Sequence, residues 1–210
     1  MNDSNFKRLV LAYIQPGDVF DMQMSIDLAI HPGTTDRMLL IMPGVDGSVD
    51  GYQGKYKTIA EQINQKYRTT VIRMSNPLNF AHDHTRNFYE VMDYIEEHYD
   101  TTRLKLDLVG HSLGGYVIGA LAYAYDFVDK ILMINPAISL DHDDFLSLSE
   151  RDRNSNHVLI GSNDPSYKYR DEFAKYAQVH IVEGADHYFS NEFLDTFIDA
   201  PEKYLYGEKA

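Results

Sequence analysis

The segment "LDLVGHSLGGYVIGAL" (Leu106–Leu121) joins an apolar, strand-like run to an apolar, helix-like run through a serine between glycines. Ser112 stands two residues after Gly110 and two residues before Gly114. The pattern Gly-x-Ser-x-Gly is weak alone, because about 7% of chains of this length contain it by chance. Its context is more specific, since a strand ends and a helix begins at the serine. The segment therefore predicts a nucleophilic serine on a sharp strand-to-helix turn.

Physical chemistry explains the glycines around Ser112. The strand and the helix nearly touch at such a turn, so side chains at Gly110 and Gly114 would collide with backbone. The turn exposes the serine hydroxyl at a helix N-terminus, where backbone N–H groups favour developing negative charge. The alternative is a turn that binds phosphate or merely packs. A phosphate loop would need GxxxxGK[ST], or GxGxxG after a first strand, and the sequence has neither arrangement.

A serine hydroxyl is a poor nucleophile at neutral pH and needs a general base, which in turn needs an orienting acid. "GSNDP" places Asp164 just past one predicted strand, and "EGADHYF" places His187 just past the next. Because α/β sheets gather their sites at the carboxyl ends of strands, Ser112, Asp164 and His187 are expected to converge. Their order along the chain is that of hydrolases with a nucleophile elbow.

Asp164 has alternatives as the acid. An aspartate followed by proline is also ordinary turn chemistry. Asp186 is one rival, although the immediate neighbour of His187 cannot easily turn to face that ring. The aspartates of residues 141–144, which follow the sixth predicted strand, are the others. Asp164 is preferred, because it follows the strand directly before the one that leads to His187.

Strand-like and helix-like segments alternate after residue 38, a pattern typical of a parallel sheet with helical crossovers. Before it, "RLVLAYIQ" and "DMQMSIDLAI" predict two antiparallel strands joined by a turn at Pro16 and Gly17. Six further strands are predicted at residues 37–44, 69–75, 104–110, 130–135, 157–162 and 179–184. The fold class is therefore α/β, with eight strands of which the first pair is antiparallel.

Helices are predicted between these strands from apolar residues at helical spacing. They cover residues 56–67, about 88–99, the segment after Ser112, and 169–177, with a last helix from about Asn191 that stops before Pro201. The sequence contains no repeat, linker or low-complexity segment. A single domain of residues 1–210 is the prediction.

The composition excludes several functional classes. Nineteen Lys and Arg against 32 Asp and Glu give a formal net charge of −13, which disfavours nucleic acids and anionic lipid surfaces as partners. The absence of cysteine excludes disulfides and thiol catalysis. The apolar runs are far shorter than a bilayer span, and the N-terminus lacks a signal-peptide cleavage site. We expect a cytoplasmic protein without a membrane span, and the sequence predicts no oligomeric state.

Taken together, "GHSLGG", "GSNDP" and "GADHYF" resemble the α/β-hydrolase family of serine esterases and lipases, over nearly the whole chain. The resemblance implies the α/β-hydrolase fold, with a mostly parallel eight-stranded sheet and helices on both faces. It implies Ser112 as nucleophile, Asp164 as acid and His187 as base. It implies a small-molecule ester substrate and no metal or organic cofactor.

The family's oxyanion hole implies two backbone donors. One is the N–H of Leu113, and the other follows the third strand in "MPGVDGS", where Val45 is preferred and Asp46 is the alternative. The sequence departs from the family at Pro43, where many relatives have histidine before the glycine. A backbone donor does not depend on that side chain.

The expected activity is hydrolysis of short to medium acyl esters through an acyl-enzyme. Thioester hydrolysis, acyl transfer and a non-catalytic ligand-binding role remain alternatives. The connection Pro136–Asn156 is too short for a separate lid domain, so a relatively open site is expected. The clusters "HDH" (residues 82–84) and "DHDD" (residues 141–144) suit solvated turns at the rim of the pocket better than a metal site.

Overall fold

The computed structural model describes residues 6–16, 21–78, 85–137 and 147–207. The described residues form one eight-stranded sheet in the order β1-β2-β4-β3-β5-β6-β7-β8. The strands are β1 (Lys7–Gln15), β2 (Met22–His31), β3 (Arg37–Met42), β4 (Thr70–Met74), β5 (Lys105–His111), β6 (Val128–Ile134), β7 (Asn156–Gly161) and β8 (Gln178–Val182). The eight predicted strands are confirmed.

Strand β2 runs antiparallel to both of its neighbours, β1 and β4, whereas all the other pairs in the sheet are parallel. The predicted antiparallel N-terminal pair is therefore confirmed. The tip of the connection between β1 and β2, residues 17–20, lies outside the described residues.

Helices cover both faces of the sheet. The main helices are α1 (Lys55–Tyr67), α2 (Arg86–His98), α3 (Leu113–Leu121), α4 (Arg170–Tyr176) and α5 (Leu194–Pro201). Helices α2, α3 and α4 contribute to one apolar cluster and α1 and α5 to the other. The sequence of strand β3 is continuously apolar because both of its faces are buried. Alternate residues pack into opposite clusters, and Met38–Met42 are all buried.

The C-terminal end of the last helix differs from the prediction, which placed it before Pro201. Helix α5 includes Pro201, and a wider π-type turn over Glu202–Tyr206 continues it. Proline is compatible with this path because its φ of −60° and ψ of −43° are helical and it lacks only the N–H group. The wider turn follows at the point where the normal hydrogen-bond ladder is interrupted. Burial of Pro201 and Leu205 stabilises the extension.

An ion-pair network around the buried carboxylate of Asp107 joins the amino ends of the central strands. Arg37 Nε and Nη2 donate to the two Asp107 carboxylate oxygens at 2.7 and 2.8 Å, and Nη2 also donates to Asp129 at 3.0 Å. Burial raises the pKa of Asp107 to about 6, and the nearby Arg37 guanidinium opposes that rise. The network therefore ties β3, β5 and β6 together at the edge opposite Ser112.

We expect Arg37→Met to lower the free energy of unfolding by about 3–5 kcal/mol, because it leaves the Asp107 carboxylate buried without its cation. Denaturant unfolding followed by circular dichroism measures this change. The loss should shrink as the pH falls toward about 6, because removing the guanidinium raises the Asp107 pKa above its native value of about 6 and the folded variant takes up a proton at a higher pH than the native protein.

Arg103→Met is the matched control, because Arg103 pairs with Asp36 on the surface, where both side chains are mostly exposed. Arg103→Met should lower the free energy of unfolding by less than about 1 kcal/mol. Equal losses of unfolding free energy in the two variants would contradict a structural role for the Arg37 network.

Candidate active site

Ser112 lies on a strained turn between β5 and α3. Its φ of 56° and ψ of −120° fall in a region that residues other than glycine rarely adopt. Three backbone hydrogen bonds hold this conformation. The Ser112 N–H donates to the Ile134 carbonyl at 3.0 Å, and the Ser112 carbonyl accepts from the N–H groups of Tyr116 at 3.1 Å and Ala137 at 2.9 Å. The surrounding structure thus imposes the strain and presents the serine side chain at the sheet edge.

The two glycines of the motif are confined by backbone. A Cβ atom on Gly110 would lie 2.4 Å from the Gly114 carbonyl oxygen. A Cβ atom on Gly114 would lie 2.3 Å from the carbonyl oxygen of Met42, the last residue of β3. The predicted crowding is confirmed, and the structure adds that helix α3 meets β3 as closely as it meets β5.

The structure brings Asp164 and His187 together. Asp164 follows β7, His187 follows β8, and His187 Nδ1 lies 2.5 Å from Asp164 Oδ2. The other carboxylate oxygen, Oδ1, accepts hydrogen bonds from the Ser166 N–H at 2.7 Å and from the Ser166 hydroxyl. Burial favours a higher pKa for Asp164, but the hydrogen bonds from His187 and Ser166 outweigh it and hold that pKa below its usual value. An ionised Asp164 keeps the proton of neutral His187 on Nδ1 and leaves Nε2 as an acceptor.

Asp186, the rival acid, has a different position. Its Oδ1 accepts hydrogen bonds from the N–H groups of Tyr188 at 3.2 Å and Ser190 at 2.8 Å. These bonds, the Ser190 N–H bond first, lower the pKa of Asp186. Asp186 therefore caps the turn that carries His187. The other rivals, in residues 141–144, lie outside the described residues.

Ser112 and His187 line one cavity of about 290 Å³. The loop between β3 and α1 forms one wall, and Tyr188 forms another. Three apolar side chains at this cavity, Val45, Tyr52 and Tyr188, are each about half exposed. The cavity thus combines a polar floor at Ser112 and His187 with an apolar, aromatic rim.

The two candidates for the second oxyanion donor differ in their surroundings. The Asp46 N–H donates to the Asn76 carbonyl at 2.8 Å and is therefore occupied. Val45 lines the cavity beside Ser112. Leu113 begins α3, where a backbone N–H has no partner within its own helix. This geometry favours Leu113 with Val45 over Leu113 with Asp46.

Three buried polar side chains near His187 are absent from the sequence prediction. They are Lys55 at the start of α1, His111 at the end of β5 and Asn135 directly after β6. Their hydrogen bonds reach the turn of residues 186–188. Their positions at strand ends and at a helix start, on the edge that carries the site, were the available signal.

Two segments that the sequence places at the rim, residues 79–84 and 138–146, lie outside the described residues. They contain the "HDH" and "DHDD" clusters and most of the connection expected to leave the site open. Within the described ranges, no helix is long and apolar enough to cross a membrane.

Comparison with known proteins relates the chain to hydrolases by fold. Residues 52–143, less than half of the chain, match the model of an uncharacterised protein family, UPF0227. No curated protein matches the sequence.

Solved structures resemble the whole chain at low sequence identity. Dienelactone hydrolase from Anabaena variabilis gives a TM-score of 0.69 at 14% identity, covering 96% of this chain and 98% of that one. Est1E from Butyrivibrio proteoclasticus gives a TM-score of 0.64 at 13% identity, covering 93% of this chain and 97% of that one. XC6422 from Xanthomonas campestris, described as an α/β serine hydrolase without lid, gives 0.63 at 14%, covering 96% of each chain. The chain therefore has the α/β-hydrolase fold.

The hydrogen bond between His187 and Asp164 predicts a downfield imidazole N–H resonance in the proton NMR spectrum, because the ring N–H donates to an ionised carboxylate. Asp164→Asn and His187→Gln should abolish the resonance. Asp186→Asn should retain it, since asparagine keeps an acceptor oxygen for Tyr188 and Ser190. A resonance lost in Asp186→Asn and kept in Asp164→Asn would contradict the described pairing.

Proposed function

We propose that this protein is a serine hydrolase that cleaves carboxylic esters of short to medium acyl length through an acyl-enzyme intermediate. One observation carries the proposal. Asp164 hydrogen-bonds His187, and His187 lines the same cavity as Ser112, which lies on a strained turn at a helix N-terminus. The fold of structures described as an α/β serine hydrolase and a dienelactone hydrolase supports this assignment.

Acylation begins at the serine hydroxyl. His187 Nε2 accepts the proton as Ser112 Oγ attacks the ester carbonyl carbon, and the carbonyl oxygen becomes an oxyanion. The N–H groups of Leu113 and Val45 donate to that oxyanion. His187, now an imidazolium stabilised by Asp164, gives its proton to the departing alcohol. The acyl group stays on Ser112 as an ester.

Deacylation repeats the chemistry with water. His187 Nε2 takes a proton from a water molecule, whose oxygen attacks the acyl carbon. The second tetrahedral intermediate collapses, the carboxylic acid leaves, and Ser112 Oγ regains the proton from His187. Every step uses groups of this chain, so the proposal includes neither a metal nor an organic cofactor.

The cavity supports a small substrate. A volume of about 290 Å³ lies at the lower end of the range for small-molecule sites. The half-exposed side chains of Val45, Tyr52 and Tyr188 offer apolar contact to an acyl or alcohol group at the entrance. The net charge of −13 disfavours nucleic acids and anionic membranes as partners. We place the enzyme in the cytoplasm as a single domain.

Thioester hydrolysis and acyl transfer use the same acyl-enzyme, because the three residues do not select the leaving group. A purely ligand-binding protein is the alternative from another class. The strain at Ser112 and the pairing of Asp164 with His187 argue against it, because binding alone requires neither.

We expect a fluorophosphonate probe to label the native protein and to leave Ser112→Ala unlabelled, because the probe bonds to an activated serine oxygen. His187→Ala should label far more slowly. Labelling followed by intact mass spectrometry measures both effects. Labelling that persists in Ser112→Ala would refute the nucleophile, and an unlabelled native protein without esterase activity would favour the binding role.

We expect Asp164→Asn to lower kcat on the order of 10³- to 10⁴-fold, because an amide facing Nδ1 favours the wrong tautomer of His187. Asp186→Asn is the matched control, and its kcat should stay within about tenfold of native because the turn keeps its cap. Steady-state hydrolysis of nitrophenyl esters measures both. A larger loss in Asp186→Asn would reassign the acid.

The size of the cavity predicts that soluble esters with short to medium acyl chains are hydrolysed with a higher kcat/KM than long-chain esters. A series of nitrophenyl esters of increasing acyl length measures this preference. A strong preference for long-chain emulsified lipid would contradict the proposed substrate class.

A further inference from the structure

The turn that carries His187 offers three consecutive backbone carbonyls, of residues 186, 187 and 188, to buried side chains from elsewhere in the fold. We propose that Lys55, His111 and Asn135 are positioning residues, which hold this turn so that the His187 ring pairs with Asp164 and lines the same cavity as Ser112. The inference rests on the proposed function. We name these three side chains the carbonyl clamp.

Asn135 makes the central contacts of the carbonyl clamp. Its Nδ2 donates to the Asp186 carbonyl at 3.0 Å and to the His187 carbonyl at 3.1 Å. Its Oδ1 accepts the N–H of Gly161, the last residue of β7, at 2.8 Å. The side chain is completely buried. Asn135 therefore connects the carboxyl ends of β6 and β7 to the turn that follows β8.

His111 binds the same carbonyl from the other side. Its Nε2 lies 2.9 Å from the His187 oxygen, and its Nδ1 lies 3.3 Å from the Tyr56 hydroxyl. Burial and the nearby positive charge of Lys55 lower the pKa of His111 to about 3, so the ring is neutral and carries one N–H. A carbonyl can only accept, so the proton is on Nε2 and Nδ1 accepts from Tyr56.

Lys55 completes the clamp. Its ammonium lies 3.4 Å from the Tyr188 carbonyl and 3.7 Å from the centre of the Phe197 ring. The residue is 1% exposed, and the nearby negative charge of Asp186 favours its charged form. Burial lowers the pKa of Lys55 to about 8. A buried cation is costly without a partner, and here the acceptors are a carbonyl and an aromatic face.

These contacts have one common consequence. The carbonyls of residues 186–188 accept hydrogen bonds from side chains of α1, of β5 and of the residue after β6. The backbone of this turn therefore has little freedom to rotate. Because a displacement of about 1 Å in a catalytic group can cost on the order of 100-fold in rate, such restraint has a direct catalytic value. Apolar packing at Phe189, which is fully buried, already anchors the turn. The polar contacts act on the backbone of His187 and of its two neighbours in sequence.

The test removes one donor and then restores it. His111→Met keeps the side-chain volume but lacks the N–H, whereas His111→Gln keeps a donor that can reach the His187 carbonyl. We expect His111→Met to lower kcat on the order of 10- to 100-fold with KM within about twofold of native. His111→Gln should recover most of that loss. Lys55→Met and Lys55→Gln form a second pair of the same design.

His157→Met is the matched control, because His157 is a buried histidine on β7 whose Nδ1 faces His180 instead of the turn. It should lower the melting temperature and leave kcat unchanged. The proposal is overturned if His111→Met retains native kcat. It is also overturned if His111→Gln loses as much kcat as His111→Met, or if His157→Met loses as much kcat for the same drop in melting temperature.

A second measurement separates this proposal from the proposed function. Amide hydrogen exchange at Tyr188 and Phe189 should accelerate in His111→Met, with exchange in the central strands unchanged and partial recovery in His111→Gln. This result supports the carbonyl clamp even if the native protein neither hydrolyses esters nor reacts with fluorophosphonate, which would refute the proposed function alone. Unchanged exchange at both amides would overturn the clamp whatever the activity.

Discussion

The close approach of α3 to the ends of β3 and β5 is the constraint on which the rest of the site depends. No side chain fits at Gly110 or Gly114, because a Cβ atom there would lie only 2.4 or 2.3 Å, respectively, from a backbone carbonyl oxygen. This approach forces Ser112 into its strained conformation and aims the amino end of α3 at the cavity. The strain costs on the order of 1–3 kcal/mol, which the favourable packing of the buried sheet offsets.

The remaining parts of the site follow from the order of the strands. Strands β5, β6, β7 and β8 are adjacent and parallel, so the residues after each of them lie side by side. Ser112, Asn135, Asp164 and His187 occupy these four successive positions. The strand order therefore places the proposed nucleophile, a turn-binding amide, the proposed acid and the proposed base in succession along one edge of the sheet. The Arg37 network secures the opposite ends of three of the central strands.

Three buried polar side chains from separate parts of the fold restrain the turn of residues 186–188. Burying an amide, an imidazole and an ammonium costs free energy unless each finds a hydrogen-bond partner. Asn135, His111 and Lys55 all direct donors to consecutive carbonyls of that turn. The Asp186 carboxylate accepts hydrogen bonds from the N–H groups of Tyr188 and Ser190. The turn is thereby fixed through its backbone, which leaves the His187 side chain available for chemistry.

The sequence by itself determined the α/β class, the eight strands, the antiparallel start of the sheet and the crowded turn at Ser112, because periodicity and glycine spacing are local properties of the chain. It also ranked Asp164 above Asp186, because the immediate neighbour of His187 cannot easily turn to face that ring. Only the tertiary structure decided that α5 passes through Pro201, that the Asp46 N–H is occupied, and that Lys55, His111 and Asn135 meet at one turn. Burial and contacts between residues distant in sequence decide these features, and no local pattern records such contacts.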